Sequence, residues 1–270
     1  MRVVLTIAGS DSGAGAGIQA DLKTFAARGV YGVSAITSVT AQNTLGVQGA
    51  WDLPPEAVRA QLESLFADFG IAAAKTGMLA NVEIVKTVAE FLREHPVPHL
   101  VVDPVISAHS GDRLLTPKAE AVLVEELFPL AELVTPNLVE AGALLGREVA
   151  HVEAMREAAR ALARLGPRAA LVKGGHLEDE AVDVLYLEGR VHEFSGPRLP
   201  AQYSHGTGCT LSAAIAAELG KGWGMVAACR RAKEYLTAAL AQPILIGQGT
   251  GPFDHFVWGA GESQERGPQG

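Results

Sequence analysis

The run Gly206-Thr207-Gly208-Cys209 leads straight into an apolar stretch from Thr210 that carries helical spacing. Two glycines in such a turn let several backbone N–H groups converge on one spot, where a helix start adds partial positive charge. That is an anion hole. A cysteine in the first helical turn is favoured as thiolate by the same charge, which makes Cys209 a candidate proton acceptor or nucleophile. The same four residues also suit a glycine-rich strand-to-helix turn closed by a small buried thiol, and a motif this short does not decide between the two.

Phosphoryl transfer to an alcohol asks for donors around the equatorial oxygens, a divalent metal, a cation near the phosphates and a base in line with the hydroxyl. Each has a candidate. Gly206, Thr207 and Gly208 offer the donors, Lys173 the cation, Asp103 and Glu140 the metal environment, and Cys209 the base. Glu140 stands three residues after Asn137 on a helix opened by Pro136, so both side chains share a face. That spacing is equally a capping box, with Asn137 as N-cap. No Walker A run and no protein-kinase motif set is present. A dinucleotide-type glycine pattern at 15–20 follows a strand, but the second strand runs out into Thr40-Ala41-Gln42 without the acid that a ribose requires. Those glycines are read as allowing close approach of a small ligand.

These residues need elements to hold them. Short apolar runs alternate with amphipathic segments, the order of βα units that feed a mostly parallel sheet covered on both faces. The pattern predicts strands over 3–9, 33–40, 72–76, 100–103, 133–135, 169–173 and 182–187. It predicts helices over 15–28, 55–69, 82–94, 117–127, 138–145, 152–165, 209–219 and 225–241. Around Gly189, the segments 185–188 and 190–194 read as a hairpin that adds antiparallel strands at one edge. Ligands of open α/β sheets sit beyond the carboxyl ends of the strands. Here most of those ends are polar: Gly9-Ser10-Asp11, Ala41-Gln42-Asn43, Lys75-Thr76-Gly77-Met78, Asp103, Thr135-Pro136-Asn137 and Lys173-Gly174-Gly175-His176. They point to one shared site.

The 270 residues suit one large α/β domain, read as 1–256, with a polar, glycine-rich tail at 257–270 expected to be disordered. A net charge of −8 argues against a general nucleic-acid or anionic-membrane binder, and no run has the length of a membrane span. Two cysteines, Cys209 and Cys229, cannot build a disulfide framework, so the expected location is the cytoplasm. Cys229 reads as a buried small hydrophobe.

Eight blocks in order and spacing make the chain resemble the hydroxymethylpyrimidine/phosphomethylpyrimidine kinases of thiamine biosynthesis, within the ribokinase-like superfamily. They are AGSDSGAGAGIQADLKTF from Ala8, TAQNTLGV from Thr40, KTGM from Lys75, VVDPV from Val101, SGDRLL from Ser110, TPNLVE from Thr135, VKGGH from Val172 and SHGTGCTLSAAIA from Ser204. The resemblance reaches to about Phe256. It implies a three-layer α/β/α fold with a mostly parallel central sheet and a few antiparallel edge strands.

By that resemblance the pyrimidine pocket falls on Gly9, Asp21, Gln42, Met78 and Val105. A carboxamide at Gln42 offers an acceptor beside donors, complementary to an aminopyrimidine edge. The ATP side falls on Lys173, Asn137, Glu140 and the 206–209 turn, with magnesium bridging phosphate oxygens and Asp103 and Glu140 near it. The resemblance also implies a homodimer. The activity implied is ATP-dependent phosphorylation of 4-amino-5-hydroxymethyl-2-methylpyrimidine and then of its monophosphate. A pyridoxal kinase and a non-catalytic pyrimidine or nucleotide binder are the rival readings. Departures from the pattern fall at Gly13-Ala14, at His109, where lysine is common, and at Ser204.

Overall fold

The computed structural model describes residues 1–106, 114–175, 181–198 and 205–257. The readings placed on His109, Ser110, His176, Ser204 and the tail beyond Val257 lie outside the described residues. In chain order, the strands are β1 Val3–Asp11, β2 Tyr31–Asn43, β3 Gly46–Asp52, β4 Ile71–Thr76, β5 Leu100–Val102, β6 Leu133–Val134, β7 Ala169–Val172, β8 Ala181–Leu187 and β9 Arg190–Gly196. The helices are α1 Gly17–Ala27, α2 Pro55–Asp68, α3 Val82–Glu94, α4 Pro117–Val122, α5 Leu138–Leu145, α6 Val152–Ala163, α7 Thr207–Gly220 and α8 Met225–Leu240.

The strands form one sheet in the order β3-β2-β1-β4-β5-β6-β7-β8-β9. From β2 to β7 neighbours run parallel, while β3 pairs antiparallel with β2 and the β8–β9 hairpin closes the other edge. The hairpin turns at Glu188 and Gly189, both at positive φ.

Alternation along the strands divides the core in two. Leu5, Ile7, Ala74, Val102, Val134 and Val172 face the layer of α2, α3 and α6, whereas Val4, Ala73, Val101, Leu133 and Leu171 face α1, α7 and α8. Two residues further on, the second set becomes Thr6, Lys75, Asp103, Thr135 and Lys173. Lys75, Asp103, Thr135 and Lys173 therefore lie in a polar row at or just past the carboxyl ends of four strands, on the α7 side, with Thr6 within β1 beside them. From Thr210 to Gly220 every residue of α7 is buried, and most are alanine, glycine or serine. A Cβ on Gly220 would already lie 3.1 Å from Val4, so only small residues let this central helix come so near the sheet.

Three elements differ from the sequence expectation. β2 runs on to Asn43, and Gln42 pairs with Val47 of β3, so it sits in a strand and not in a loop after one. β3 itself, GVQGAWD, is an exposed edge strand whose glycines and polar residues carry no apolar signal. The segment expected as one helix over 117–127 is α4 followed by a π turn at Leu123–Leu127 and a 3-10 turn at Phe128–Leu130.

Candidate active site

The helix start expected at Cys209 lies at Thr207, with Gly206 as N-cap at φ 84°. A Cβ there would stand 1.8 Å from the Gly15 carbonyl oxygen, so position 206 requires glycine on two counts. Gly17, at φ 58°, likewise leaves no room for a side chain, because a Cβ would meet the Gly9 carbonyl at 2.4 Å. The two glycine loops interlock this closely, and they bring the first βα turn against the N-terminal turn of α7. No acidic side chain occupies that turn. The helix terminus therefore keeps its positive end for an anion.

Beneath it lies the polar row. Lys173 Nζ donates to Asp103 Oδ1 at 2.8 Å, and Asp103 also accepts from Thr135 Oγ1 at 3.2 Å and Ser212 Oγ at 3.1 Å. Burial opposes the charge on Asp103, but Lys173 and Lys75 outweigh it and hold the carboxyl below the usual range. Glu140 Oε2 is 4.0 Å from Lys173 Nζ and accepts from the Asn137 N–H at 2.8 Å. The capping box is fully formed, since Asn137 Oδ1 accepts from the Glu140 N–H at 2.9 Å. Both residues line the cavity as well, so capping and site placement coincide. Burial pushes the Glu140 carboxyl up to about 7.

Cys209 is half-buried and opens into the same cavity. Its thiol is pushed up to about 11, because burial outweighs the attraction of Lys75 and of the Gly17 N–H. The direction is opposite to the sequence expectation. A helix terminus favours the thiolate only where desolvation does not exceed it.

The cavity has a volume of about 580 Å³ and takes in Gly9, Gln42, Met78 and Val105 at one end. Gly9 is small for a reason: a Cβ would meet Met78 Cε at 2.6 Å. The middle is lined by Lys173, Asp103, Asn137, Glu140 and residues 206–209. A further arm runs along Ala181, Asp183, Pro197, Lys233, Leu236 and Leu240. The sequence reading did not include this arm, although an aspartate inside the apolar run of β8 was a visible anomaly. Asp183 accepts from the Gly174 N–H at 3.0 Å and pairs with Lys233 at 2.9 Å.

Asp21 is placed apart from the other residues expected at the pyrimidine end. It is fully buried, does not line the cavity, and accepts from Thr6 Oγ1 at 2.6 Å and Lys75 Nζ at 2.9 Å. Its side chain turns from α1 toward the sheet and pairs with a lysine that is itself fully buried. Among the described residues no group of three His, Cys, Asp or Glu side chains gathers for a metal. No described helix is long and apolar enough to cross a membrane.

A model of the family described as phosphomethylpyrimidine kinase matches residues 11–254. The hydroxymethylpyrimidine/phosphomethylpyrimidine kinase of Streptomyces coelicolor is 51% identical over 260 residues, which is 96% of each chain. Among solved structures, an ADP complex of Bacillus subtilis pyridoxal kinase is similar at a TM-score of 0.88 and 40% identity, covering 94% of this chain and 97% of that one. A phosphomethylpyrimidine kinase from Clostridium difficile 630 is similar at a TM-score of 0.79 and 42% identity, covering 88% of this chain and 98% of that one.

Proposed function

The chain belongs to the phosphomethylpyrimidine kinase family, and from that premise we propose that it transfers the terminal phosphoryl group of ATP to 4-amino-5-hydroxymethyl-2-methylpyrimidine and then to its monophosphate. The observation that carries this reading is the meeting of Gln42 and Cys209 in one cavity, with Lys173 and the 206–209 turn between the pyrimidine end and the Asp183–Lys233 arm. The cavity suits an amino-bearing ring at one end, phosphates in the middle and a nucleoside in the arm. One kinase domain over 1–256, working in the cytoplasm, completes the proposal.

In this reading the N–H groups of the α7 terminus and the Lys173 ammonium stabilise charge on the transferring group. Gln42 reads the ring, Met78 and Val105 enclose it, and Asn137 and Glu140 border the phosphates. Cys209 Sγ receives the alcohol proton. At pH 7 the thiolate is a minor form, roughly one part in ten thousand for a group near 11. A loose transition state needs little help from a base until late, when the hydroxyl oxygen has begun to bond phosphorus.

Magnesium usually keeps several waters and binds through one or two carboxylates plus phosphate oxygens. Asp103 and Glu140 fit that sparse donor set and would hold it, with Asp103 already tied to three donors. When bound, the ion neutralises phosphate charge.

A second copy of the chain is proposed to cover the β3 edge. Leu45 and Trp51 are 65% and 63% exposed there, and the segment with Leu245 and Ile246 is tied to the same edge by the Gly249 N–H on Thr44 Oγ1 at 3.2 Å. Sedimentation should give a dimer that Trp51→Glu weakens. A monomeric wild type would remove this part.

The test of function is ADP release with the hydroxymethylpyrimidine against pyridoxal, followed by mass analysis of the product. Preference for the pyrimidine with one and then two added phosphates is expected. Preference for pyridoxal, favoured by the likeness to the Bacillus subtilis enzyme, would replace the reading, and no turnover of either would leave a binding protein.

A further inference from the structure

Asp11, at the end of β1, is 3% exposed. Its Oδ1 accepts from the Gly13 N–H at 2.8 Å, and its Oδ2 from the N–H groups of Gly15 and Ala16 at 3.0 and 2.8 Å. The same Oδ2 lies 2.9 Å from His205 Nε2. Burial opposes the Asp11 charge, but His205 and the Ala16 and Gly13 N–H groups outweigh it and hold the carboxyl below its ordinary value. An ionised carboxylate only accepts. His205 Nε2 therefore carries a hydrogen, whichever charge the ring has.

That nitrogen is also 3.3 Å from one end of the Gln42 amide. The other end lies 3.1 Å from Thr40 Oγ1, which is 2.9 Å from the Ser10 carbonyl oxygen. A carbonyl can only accept, so the single hydroxyl hydrogen of Thr40 is spent on Ser10. With its NH₂ group toward His205, Gln42 would oppose two donors, and its oxygen would face a hydroxyl with no hydrogen to give. Turning the amide by 180° removes the donor–donor clash and the conflict at Thr40. Oε1 then takes a share of the one His205 Nε2–H, whose main acceptor is Asp11 Oδ2 at 2.9 Å against 3.3 Å, and Nε2 donates to Thr40 Oγ1. The two amide ends are alike in size, so hydrogen-bond logic assigns them.

We propose that His205, anchored by Asp11, is a positioning residue that fixes which end of the Gln42 amide faces which side of the pocket, and that it sets the preference for an amino-bearing heteroaromatic alcohol. The ligand class rests on the function proposed above; the amide orientation does not. Each amide end keeps one valence, a lone pair on Oε1 and an N–H on Nε2. Together they match a ring edge with an exocyclic amino group beside a ring nitrogen. The Gln42 backbone is separately pinned, since Ser12 Oγ donates to the Gln42 carbonyl at 2.7 Å and accepts from its N–H at 2.8 Å. The backbone is thus held independently of His205, whose contact is with the side-chain amide. Its ring sits against Gly15, where a Cβ would come within 2.2 Å of Cδ2, so the residue that orients the amide also stands next to Gly206 of the anion hole.

Two measurements on the full chain test this. In ¹⁵N-labelled ligand-free protein at neutral pH, His205 should show a hydrogen on Nε2; a hydrogen on Nδ1 alone overturns the proposal. In a double-mutant cycle, His205→Leu should raise KM for the hydroxymethylpyrimidine about tenfold or more, the worth of one pocket hydrogen bond. It should add less than about twofold when Gln42→Leu is already present, the signature of action through that partner. His205→Gln, which restores an N–H near Nε2, should recover most of the loss. Equal losses in both backgrounds, or no recovery in a His205→Gln protein that melts as a folded chain, would overturn it. If His205→Leu does not fold, the His205→Gln variant and the spectrum decide. If wild type turns over no hydroxymethylpyrimidine, the functional reading fails, and the spectrum alone decides the orientation.

Discussion

Lys173 Nζ donates to Asp103 Oδ1 across 2.8 Å directly under the first turn of α7, and a Cβ on Gly208 would come within 3.0 Å of that same nitrogen. The pair is therefore both the charge reserve of the anion hole and its floor. A phosphate that enters above Gly208 competes with Asp103 for Lys173, and Thr135 and Ser212 remain to satisfy the carboxylate. Lys173→Met should lower kcat by about a hundredfold or more while leaving KM for the pyrimidine little changed. Initial-rate kinetics with each substrate varied checks the split, and a loss confined to pyrimidine KM would place Lys173 elsewhere.

Glycine is required at 206 by space as well as by φ, whereas Gly189 in the β8–β9 turn has a similar φ of 83° and nothing within 4 Å of a Cβ. Gly189→Ala should cost only about 1 kcal/mol of backbone strain. Gly206→Ala should separate the two glycine loops, with greater loss of stability and loss of turnover. Urea unfolding and ADP release on both variants make the comparison. Equal effects would show that the contact with Gly15 is not a constraint.

Lys75 and Asp21 are a buried pair with no exposure on either side chain. Removing one partner leaves an uncompensated charge, so Lys75→Met should destabilise by roughly 3–5 kcal/mol, and the double variant with Asp21→Asn should recover part of that. The denaturant midpoint reads both. A folded Asp21→Asn protein whose defect lies wholly in pyrimidine KM would return Asp21 to the substrate site.

The parts of the site that follow from strict periodicity were legible in the sequence. Alternation along β4, β5 and β7 puts Lys75, Asp103 and Lys173 on one face, and the glycines before Thr210 mark the anion hole. What was not legible depends on which way a side chain turns and on how much water remains around it. Asp21 looks like any acid near a helix start until the sheet places Lys75 opposite it. Cys209 has the helix position of a thiolate, yet burial outweighs Lys75 and the Gly17 N–H and reverses the direction of its shift. β3 escaped because an exposed edge strand needs no apolar pattern. Asp11 and His205 are 194 residues apart, and no local signal joins them.

His255 gives the protein a pH-dependent tie. It is 2% exposed, lies 3.1 Å from Thr210 Oγ1, and stacks on Phe253. Burial and the nearby Lys23 charge push its imidazole down to about 4. The unfolded chain takes up this proton near the ordinary histidine value of about 6.5, so the contribution is whole above that value and falls away as pH drops from about 6.5 toward 4. The loss should be on the order of 3 kcal/mol at most. Urea midpoints at pH 7.5 and 5.0 should differ more for wild type than for His255→Gln. Parallel shifts in the two proteins would mean that other groups carry the acid sensitivity.

The role of Cys209 is decided by its pH–rate profile. With a thiol near 11, turnover should rise with pH through the neutral range, approaching tenfold per unit where chemistry limits. Cys209→Ala should lose about a hundred- to a thousandfold in kcat with pyrimidine KM nearly unchanged. Cys209→Asp should keep measurable turnover and flatten the profile, because a carboxylate is already ionised at neutral pH. A flat wild-type profile together with a Cys209→Ala enzyme within about threefold of wild type would contradict the account.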